Sequence, residues 1–353
     1  MYIKSFDLKN FTIFNDFHLD VDSRINVFVG ENGTGKTHLL KAIYAACEIS
    51  KDNSLGANFL EKCFKKYGSV ELFRGYKNQE LDIYLNADCN NREYIAVSLT
   101  VPVVRVVKNS TNGANNVLFD DKVNARDGSY QIHLQKDVIF DAVFIPCKDM
   151  LTHSNGLPSM ADRYKVPFDK TLTNIISVST SWTLKDLPDI ALKILPVLED
   201  MIDGQIVFEN EEFIVKKSNG RMVNFATEAE GFKKIGLLWQ LLMNGSISKG
   251  SILVWDEPEA NLNPKFLPKV VECLLELSRH NVQIFVSTHN YIFAKYFNVR
   301  AKSSDSVMFH SLYLENGDVQ VESNKIFSSL RNNAIMQTFN QLLEEVYNLD
   351  MGD

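Results

Sequence analysis

The sequence predicts an α/β fold: a mostly parallel core sheet covered by helices, with an antiparallel β-meander lobe and a helical insertion. Three observations predict it. Short continuous apolar runs at residues 25–29, 251–255 and 283–287 read as strands buried on both faces. Helical periodicity follows two of them, at residues 36–47 and 264–279. Between residues 80 and 134 the pattern changes to β-rich segments separated by Asn- and Gly-rich stretches.

Taken in order, residues 2–8, 17–21 and 25–29 read as three strands joined by polar turns at Asn15-Asp16 and Asp22-Ser23. Residues 36–47 carry Leu39, Leu40, Ile43, Tyr44 and Cys47 on one helical face, and residues 56–67 also read as helix. Segments 80–86, 94–107, 117–123 and 130–134 form the meander. Residues 141–146 read as a buried strand ending at Pro146. Helices follow at 168–178 and 190–202, then a hairpin of 205–208 with 213–216 leading to 222–225. Beyond Glu228, α/β alternation returns: Phe232, Ile235, Leu238, Trp239 and Leu242 share a helix face. Residues 334–349 form an amphipathic helix with Ile335, Phe339, Leu342, Leu343, Val346 and Leu349 aligned. The expected organisation is one composite domain over 1–353. Its core is 1–50 and 205–330, its meander lobe 68–140, its helical insertion 151–204 and its terminal helix 331–353.

Composition sets bounds on function. The chain has 353 residues and 45% hydrophobic content, ample for a large buried core. No apolar run approaches the roughly 18 residues needed to span a bilayer, and residues 1–4 lead directly into an alternating strand, so a cytoplasmic protein without a membrane partner is expected. The five cysteines are scattered without a C-x-x-C pair, which reads as reduced thiols. A formal charge of −7 argues against blanket nucleic-acid affinity while leaving room for a local basic groove, to which Lys62, Lys65 and Lys66 or Lys233 and Lys234 are the candidate contributors.

Directly after the strand at 25–29 comes Gly30-Glu31-Asn32-Gly33-Thr34-Gly35-Lys36-Thr37, the pattern G-x-x-x-x-G-K-[ST] between a strand and a helix. A triphosphate needs closely spaced backbone N–H donors at a helix N-terminus, and glycines let the main chain fold around it. Residues 30–38, His38 included, are therefore the expected ATP-binding segment. Lys36 neutralises the β and γ phosphates and the Thr37 hydroxyl ligates Mg²⁺. The strand at 251–255 delivers Asp256 and Glu257 at its C-terminal end, where ligands sit in open α/β sheets. Asp256 is assigned to the Mg²⁺ shell and Glu257 to polarising the attacking water as general base. The strand at 283–287 ends in Ser287-Thr288-His289, which brings a histidine within reach of the γ-phosphate.

The order of these segments, with Asp256-Glu257-Pro258 running into Glu259-Ala260-Asn261-Leu262-Asn263-Pro264, resembles ABC-class ATPases of the SMC, RecF and OLD kind. The opening Ile3-Lys4-Ser5-Phe6-Asp7-Leu8-Lys9-Asn10-Phe11 is similar to that group's first strand and turn. Within it, the chain looks most like stand-alone bacterial AAA15/AAA21-type ATPases of anti-phage systems. The resemblance is strong over 1–50 and 220–300 and weak between. It implies an ABC-ATPase head in which two copies sandwich two ATP molecules, giving a homodimer or higher homo-oligomer. It also makes Asp256 the Walker B residue, Glu257 the catalytic glutamate, Asn261 and Asn263 part of the D-loop, and His289 the switch histidine. The signature departs from the family pattern: Ala229-Glu230-Gly231-Phe232 is the nearest match, with Gly231 offering backbone to a trans phosphate and Thr227 the alternative source of a hydroxyl. For the Q-loop glutamine, Gln131 and Gln135 are candidates, against Lys148 and Asp149 after Pro146.

The function implied is an ATPase switch that dimerises on ATP and regulates an effector protein in trans, a nuclease or other toxin, in anti-phage defence. No second catalytic cluster follows His289 in the sequence. The alternative is a DNA-repair or chromosome-maintenance ATPase that clamps DNA directly. A transporter subunit is disfavoured by the altered signature and the large helical insert.

Overall fold

The computed structural model describes residues 2–21, 23–52, 56–64, 81–89, 92–101, 131–134, 139–157, 160–161, 164 and 168–350. The central element is β3 (Ile25–Gly30), every residue of which is buried. It sits inside a six-stranded sheet with β7 (Ala142–Ile145), β11 (Ile252–Asp256), β12 (Gln283–Ser287), β13 (Val307–Glu315) and β14 (Asp318–Asn324), in the order β14-β13-β3-β12-β11-β7. All neighbours pair in parallel except β14, which folds back antiparallel on β13. Parallel pairing puts the C-terminal ends of β3, β11 and β12 on one edge of the sheet, where α/β folds bind ligands.

The apolar runs work because strand side chains alternate. Ile25, Val27, Val29, Val143, Ile145, Leu253, Trp255, Ile284 and Val286 point into one core. Phe28, Ala142, Phe144, Ile252, Val254 and Phe285 point into a second. That second core is filled by α1 (Lys36–Lys51), whose Leu39, Leu40, Ile43, Tyr44 and Cys47 are buried. It is closed on the far side by an antiparallel sheet contributing Phe6, Leu8, Phe11, Ile83 and Leu85. Each such fully buried side chain stabilises the fold by about 2 kcal/mol. Helix α2 (Gly56–Cys63) adds Phe59 and Leu60 to the same core.

The antiparallel sheet runs β2-β1-β4-β5-β6, built from β1 (Tyr2–Phe11), β2 (Phe14–Asp20), β4 (Leu81–Cys89), β5 (Arg92–Val101) and β6 (Gln131–Leu134). The first core is covered by α3 (Lys170–Ser179), α4 (Asp189–Ile202), α5 (Glu230–Met243), α6 (Leu267–Arg279) and α7 (Tyr291–Arg300). A three-stranded sheet, β8 (Gly204–Glu209), β9 (Glu212–Lys217) and β10 (Met222–Asn224), precedes α5. Its first hairpin turns on Asn210 and Glu211, both at positive φ, as a two-residue loop matched to strand twist requires. The last helix is α8 (Ala334–Asp350). Phe339 stacks on Tyr291 with ring centroids 3.9 Å apart, while Leu342, Leu343, Val346 and Leu349 stay exposed.

Several sequence expectations shift. The β1–β2 turn lies at Thr12-Ile13, not at Asn15-Asp16, which instead occupy exposed positions of β2. Strands β1 and β2 join the meander sheet although residues 1–50 were grouped with the core. Their alternating polar and apolar residues suit a sheet with one covered face. Residues 204–224, also grouped with the core, make their own small sheet. The helix expected over 264–279 begins with a tight turn, Pro264–Phe266, before α6. The helix expected at 56–67 ends at Cys63, with 65–67 outside the described residues, as is the strand expected at 117–123. The sequence reading assigned nothing to β13 and β14, which complete the parallel sheet.

Candidate nucleotide-binding site

Where β3 ends, the chain turns sharply through Gly30, at φ +144, and a Cβ there would lie 2.2 Å from the Leu312 carbonyl oxygen of β13. Gly35, at φ +88, caps α1, and its Cβ would meet Ile13 and Phe14 side chains at 2.7 Å. Only glycine fits both places. The loop between them curls around the buried Lys36 ammonium, which donates to the Gly30 carbonyl at 2.9 Å and the Glu31 carbonyl at 2.7 Å, with Thr34 Oγ1 at 3.4 Å. Burial pushes the Lys36 ammonium down to about 8, against the opposing pull of Glu257, Asp256 and Glu31. Glu31, Asn32 and Gly33 face solvent, and the Thr34 hydroxyl donates to the Glu31 carbonyl at 2.9 Å. The His38 ring sits edge-on to Phe64 at 5.3 Å, and burial lowers its pKa.

The two halves of the site meet at Thr37 and Asp256. The Thr37 hydroxyl donates to Asp256 Oδ2 at 3.0 Å, and Ser287 Oγ donates to Asp256 Oδ1. Burial raises the Asp256 pKa, while these two hydroxyls work against the rise. Next to it, Glu257 adopts a left-handed backbone at φ +49, and its N–H donates to the Ser287 carbonyl at 3.2 Å. The Cys147 thiol donates to Glu257 Oε2 at 3.3 Å, and His289 Nε2 stands 3.7 Å from Oε1. Burial, then the Lys36 charge, lowers the His289 pKa, so its imidazole is neutral at pH 7. Glu259 is buried and takes Thr288 Oγ1 at 2.6 Å and the His289 N–H at 3.2 Å on one oxygen, and burial raises its pKa.

The donor set suits a hard cation beside a phosphate: one hydroxyl, one carboxylate and an ammonium now resting on carbonyls. Among the described residues no cluster of three or more His, Cys, Asp or Glu could hold a metal. A Mg²⁺ ion that keeps waters and substrate oxygens needs no such cluster.

Gly231 and Asn261 lie at the N-terminus of α5, where a Gly231 Cβ would meet the Asn261 carbonyl oxygen at 2.5 Å. They touch each other, and no hydrogen bond among the described residues joins either to the 30–37 loop. The exposed Thr227 hydroxyl donates to the Asn224 carbonyl, three residues back, at 2.9 Å. Gln131 lies in β6, opposite Thr100 of β5, and Gln135 is outside the described residues. Asp149 caps the turn at 151–152. The residue of this stretch that reaches Glu257 is Cys147, which the sequence reading took only as a reduced thiol. Its signal was its place just past the end of β7, the neighbour of β11. Lys233 and Lys234, candidates for a local basic groove, are instead buried, and Lys234 donates to the Glu257 carbonyl at 2.6 Å.

Comparison with known proteins agrees with this geometry. Residues 143–294 match the family model described as "AAA domain, putative AbiEii toxin, Type IV TA system". Over 133 residues the chain is 26% identical to the DNA replication and repair protein RecF of Bacillus cytotoxicus, and equally so to RecF of Bacillus cereus. Each alignment spans 36% of this chain and 36% of the relative. An SMC head bound to the C-terminal winged-helix domain of ScpA superimposes with a TM-score of 0.56 at 13% identity, covering 93% of this chain and 99% of that one. The chain has an SMC-head-like α/β P-loop fold. The Pyrococcus furiosus Smc head, bound to the C-terminal domain of ScpA, gives a TM-score of 0.55 at 13% identity, covering 98% of this chain and 99% of that one. No helix among the described residues is long and apolar enough to cross a membrane.

Proposed function

We propose that this chain binds ATP in the 30–38 segment and hydrolyses it, and that ATP closes two copies into a dimer whose assembly regulates an effector protein in trans. The single observation that carries the reading is the junction of Thr37, in the first turn of α1 after β3, with Asp256 beside Glu257 at the tip of β11, with β12 between the two strands. Lys36 exchanges its loop carbonyls for β and γ phosphate oxygens, and the backbone N–H groups at the start of α1 face the same anion. Mg²⁺, held by Thr37 and Asp256, would neutralise phosphate charge. Glu257 accepts a proton from the attacking water, and neutral His289 offers Nε2 to the γ-phosphate or to that water. Gly231, packed against Asn261 at the N-terminus of α5, and the exposed Asn261 would serve the partner copy's nucleotide.

The test is ATP binding and turnover by the purified protein. Lys36→Ala should abolish binding, and Glu257→Gln should bind ATP, stop turnover and accumulate a dimer in light scattering. Wild-type turnover by Glu257→Gln would remove the general-base role. The match to the toxin-system model supports a defence role, with the effector a nuclease or other toxin; co-purification with the neighbouring gene product tests it.

A second reading has its own support. The similarity to RecF, a DNA replication and repair protein, favours an ATPase that clamps DNA directly. ATP-strengthened, salt-sensitive DNA binding would establish it, and no binding at low salt would count against it.

A further inference from the structure

Two adjacent lysines of α5 are buried, and they do different things. Lys233 donates to Glu230 Oε1 at 2.6 Å and to the Ala226 carbonyl at 3.3 Å, and its ammonium lies 3.9 Å from Asp149 Oδ2. Lys234 crosses to the strand tips and donates to the main-chain carbonyl of Glu257 at 2.6 Å. That carbonyl belongs to a non-glycine residue at φ +49, a conformation that a side chain with a Cβ holds only when its surroundings fix it. The fixing is visible on both sides of the residue. The Glu257 N–H is held by the Ser287 carbonyl and Oγ, each at 3.2 Å, and its C=O accepts both the Ala260 N–H at 3.1 Å and the Lys234 ammonium at 2.6 Å. With both peptide groups clamped, the Cα–Cβ direction is set, and with it the carboxylate between Cys147 Sγ and His289 Nε2.

One helical turn before Lys234, Gly231 presses on the main chain of Asn261 and Leu262, so the start of α5 and the loop after Glu257 have no slack between them. Ala229 and Glu230, just ahead, are exposed. A load on that exposed end of α5 therefore reaches the Glu257 backbone through a short, rigid path.

We propose that Lys234 is a positioning residue that couples the N-terminus of α5 to the left-handed backbone of Glu257 and so aims its carboxylate. The inference rests on the hydrolysis reading above. It makes Lys234 affect turnover without binding nucleotide itself, because no hydrogen bond or ion pair joins its side chain to the 30–37 loop among the described residues.

The experiment compares steady-state ATP hydrolysis and ATP affinity for wild type, K234M and K234R, with thermal denaturation alongside. K234M keeps the length of the side chain and removes the donor. Its kcat should fall about tenfold or more, the loss of a charge-assisted hydrogen bond, while ATP affinity changes by less than about threefold. K234R should regain most of the rate. Wild-type kcat in K234M, a parallel loss of affinity and rate, or no recovery in K234R would each overturn the proposal. If K234M does not fold, K234Q, which removes the charge but keeps a neutral donor, takes its place with a smaller expected fall in kcat, about threefold, at unchanged ATP affinity, and wild-type kcat in it would overturn the proposal. Absence of turnover in the wild type, or full turnover in Glu257→Gln, would instead remove the hydrolysis reading itself.

Discussion

Replacing Gln283 by leucine should weaken the joint between the two sheets more than any other single change on that strand. Gln283 belongs to β12 of the parallel sheet and is buried, yet its side chain serves the other sheet. Its Oε1 accepts the Ile3 N–H at 2.7 Å, and its Nε2 donates to the carbonyls of Ile3 at 2.8 Å and Val21 at 2.9 Å. Pairing of β1 with β2 starts only at Ser5 and Asp20, so the Ile3 groups lie past the end of that ladder and the amide takes over. Gln283→Leu strands three buried main-chain groups at about 1–3 kcal/mol each, offset by about 1–2 kcal/mol from the added apolar burial. A net loss of about 3 kcal/mol is a large share of the roughly 5–15 kcal/mol that stabilises a domain. At an m-value of about 3 kcal/mol/M the urea midpoint falls by about 1 M. Fluorescence of the fully buried Trp255 can follow the transition. A Gln283→Leu protein that unfolds at the wild-type midpoint would show that these hydrogen bonds are not what couples the sheets.

Gly30→Ala should destabilise by about 3 kcal/mol or more, because its Cβ meets main chain of β13, whereas Gly33→Ala meets nothing and carries only positive-φ strain of about 1 kcal/mol; thermal denaturation of the two variants measures the gap. Asp169→Ala should cost about 3 kcal/mol in chemical denaturation. Its carboxylate caps α3 through the Thr171 and Leu172 N–H groups and pairs with Lys41 of α1 at 2.7 Å. His310 is buried between Asn26 Oδ1 and Ser323 Oγ, and burial pushes its pKa down to about 3. The unfolded chain therefore takes up the proton first, so this contribution is whole above pH 6.5 and shrinks by about 1.4 kcal/mol per pH unit as pH falls toward 3. His310→Gln should flatten that part of the stability curve, which denaturation midpoints at pH 7 and pH 5 would register.

The parallel strands were readable because being buried on both faces demands an unbroken apolar run, and 252–256 and 283–287 have one. The partnership of Thr37 with Asp256 was readable because phosphate chemistry requires those groups, although 219 positions separate them. What stayed hidden depends on contacts that leave no local pattern. Gln283 looks like any strand residue until the end of β1 is seen beside it. Cys147 and Lys234 have ordinary neighbours in sequence, and their importance comes from β7 and α5 ending near Glu257. The placement of β1 and β2 was misjudged for a similar reason, since alternation shows that a strand has one covered face without showing which sheet it joins.

The seat of Gly30 against Leu312 has a consequence for the order in which the molecule comes into being. The first residue of the proposed phosphate loop rests on a strand made almost three hundred residues later. A nascent chain still tethered to the ribosome would have its glycine-rich segment early but no floor beneath it, and should gain affinity for ATP only once residues beyond 315 have emerged.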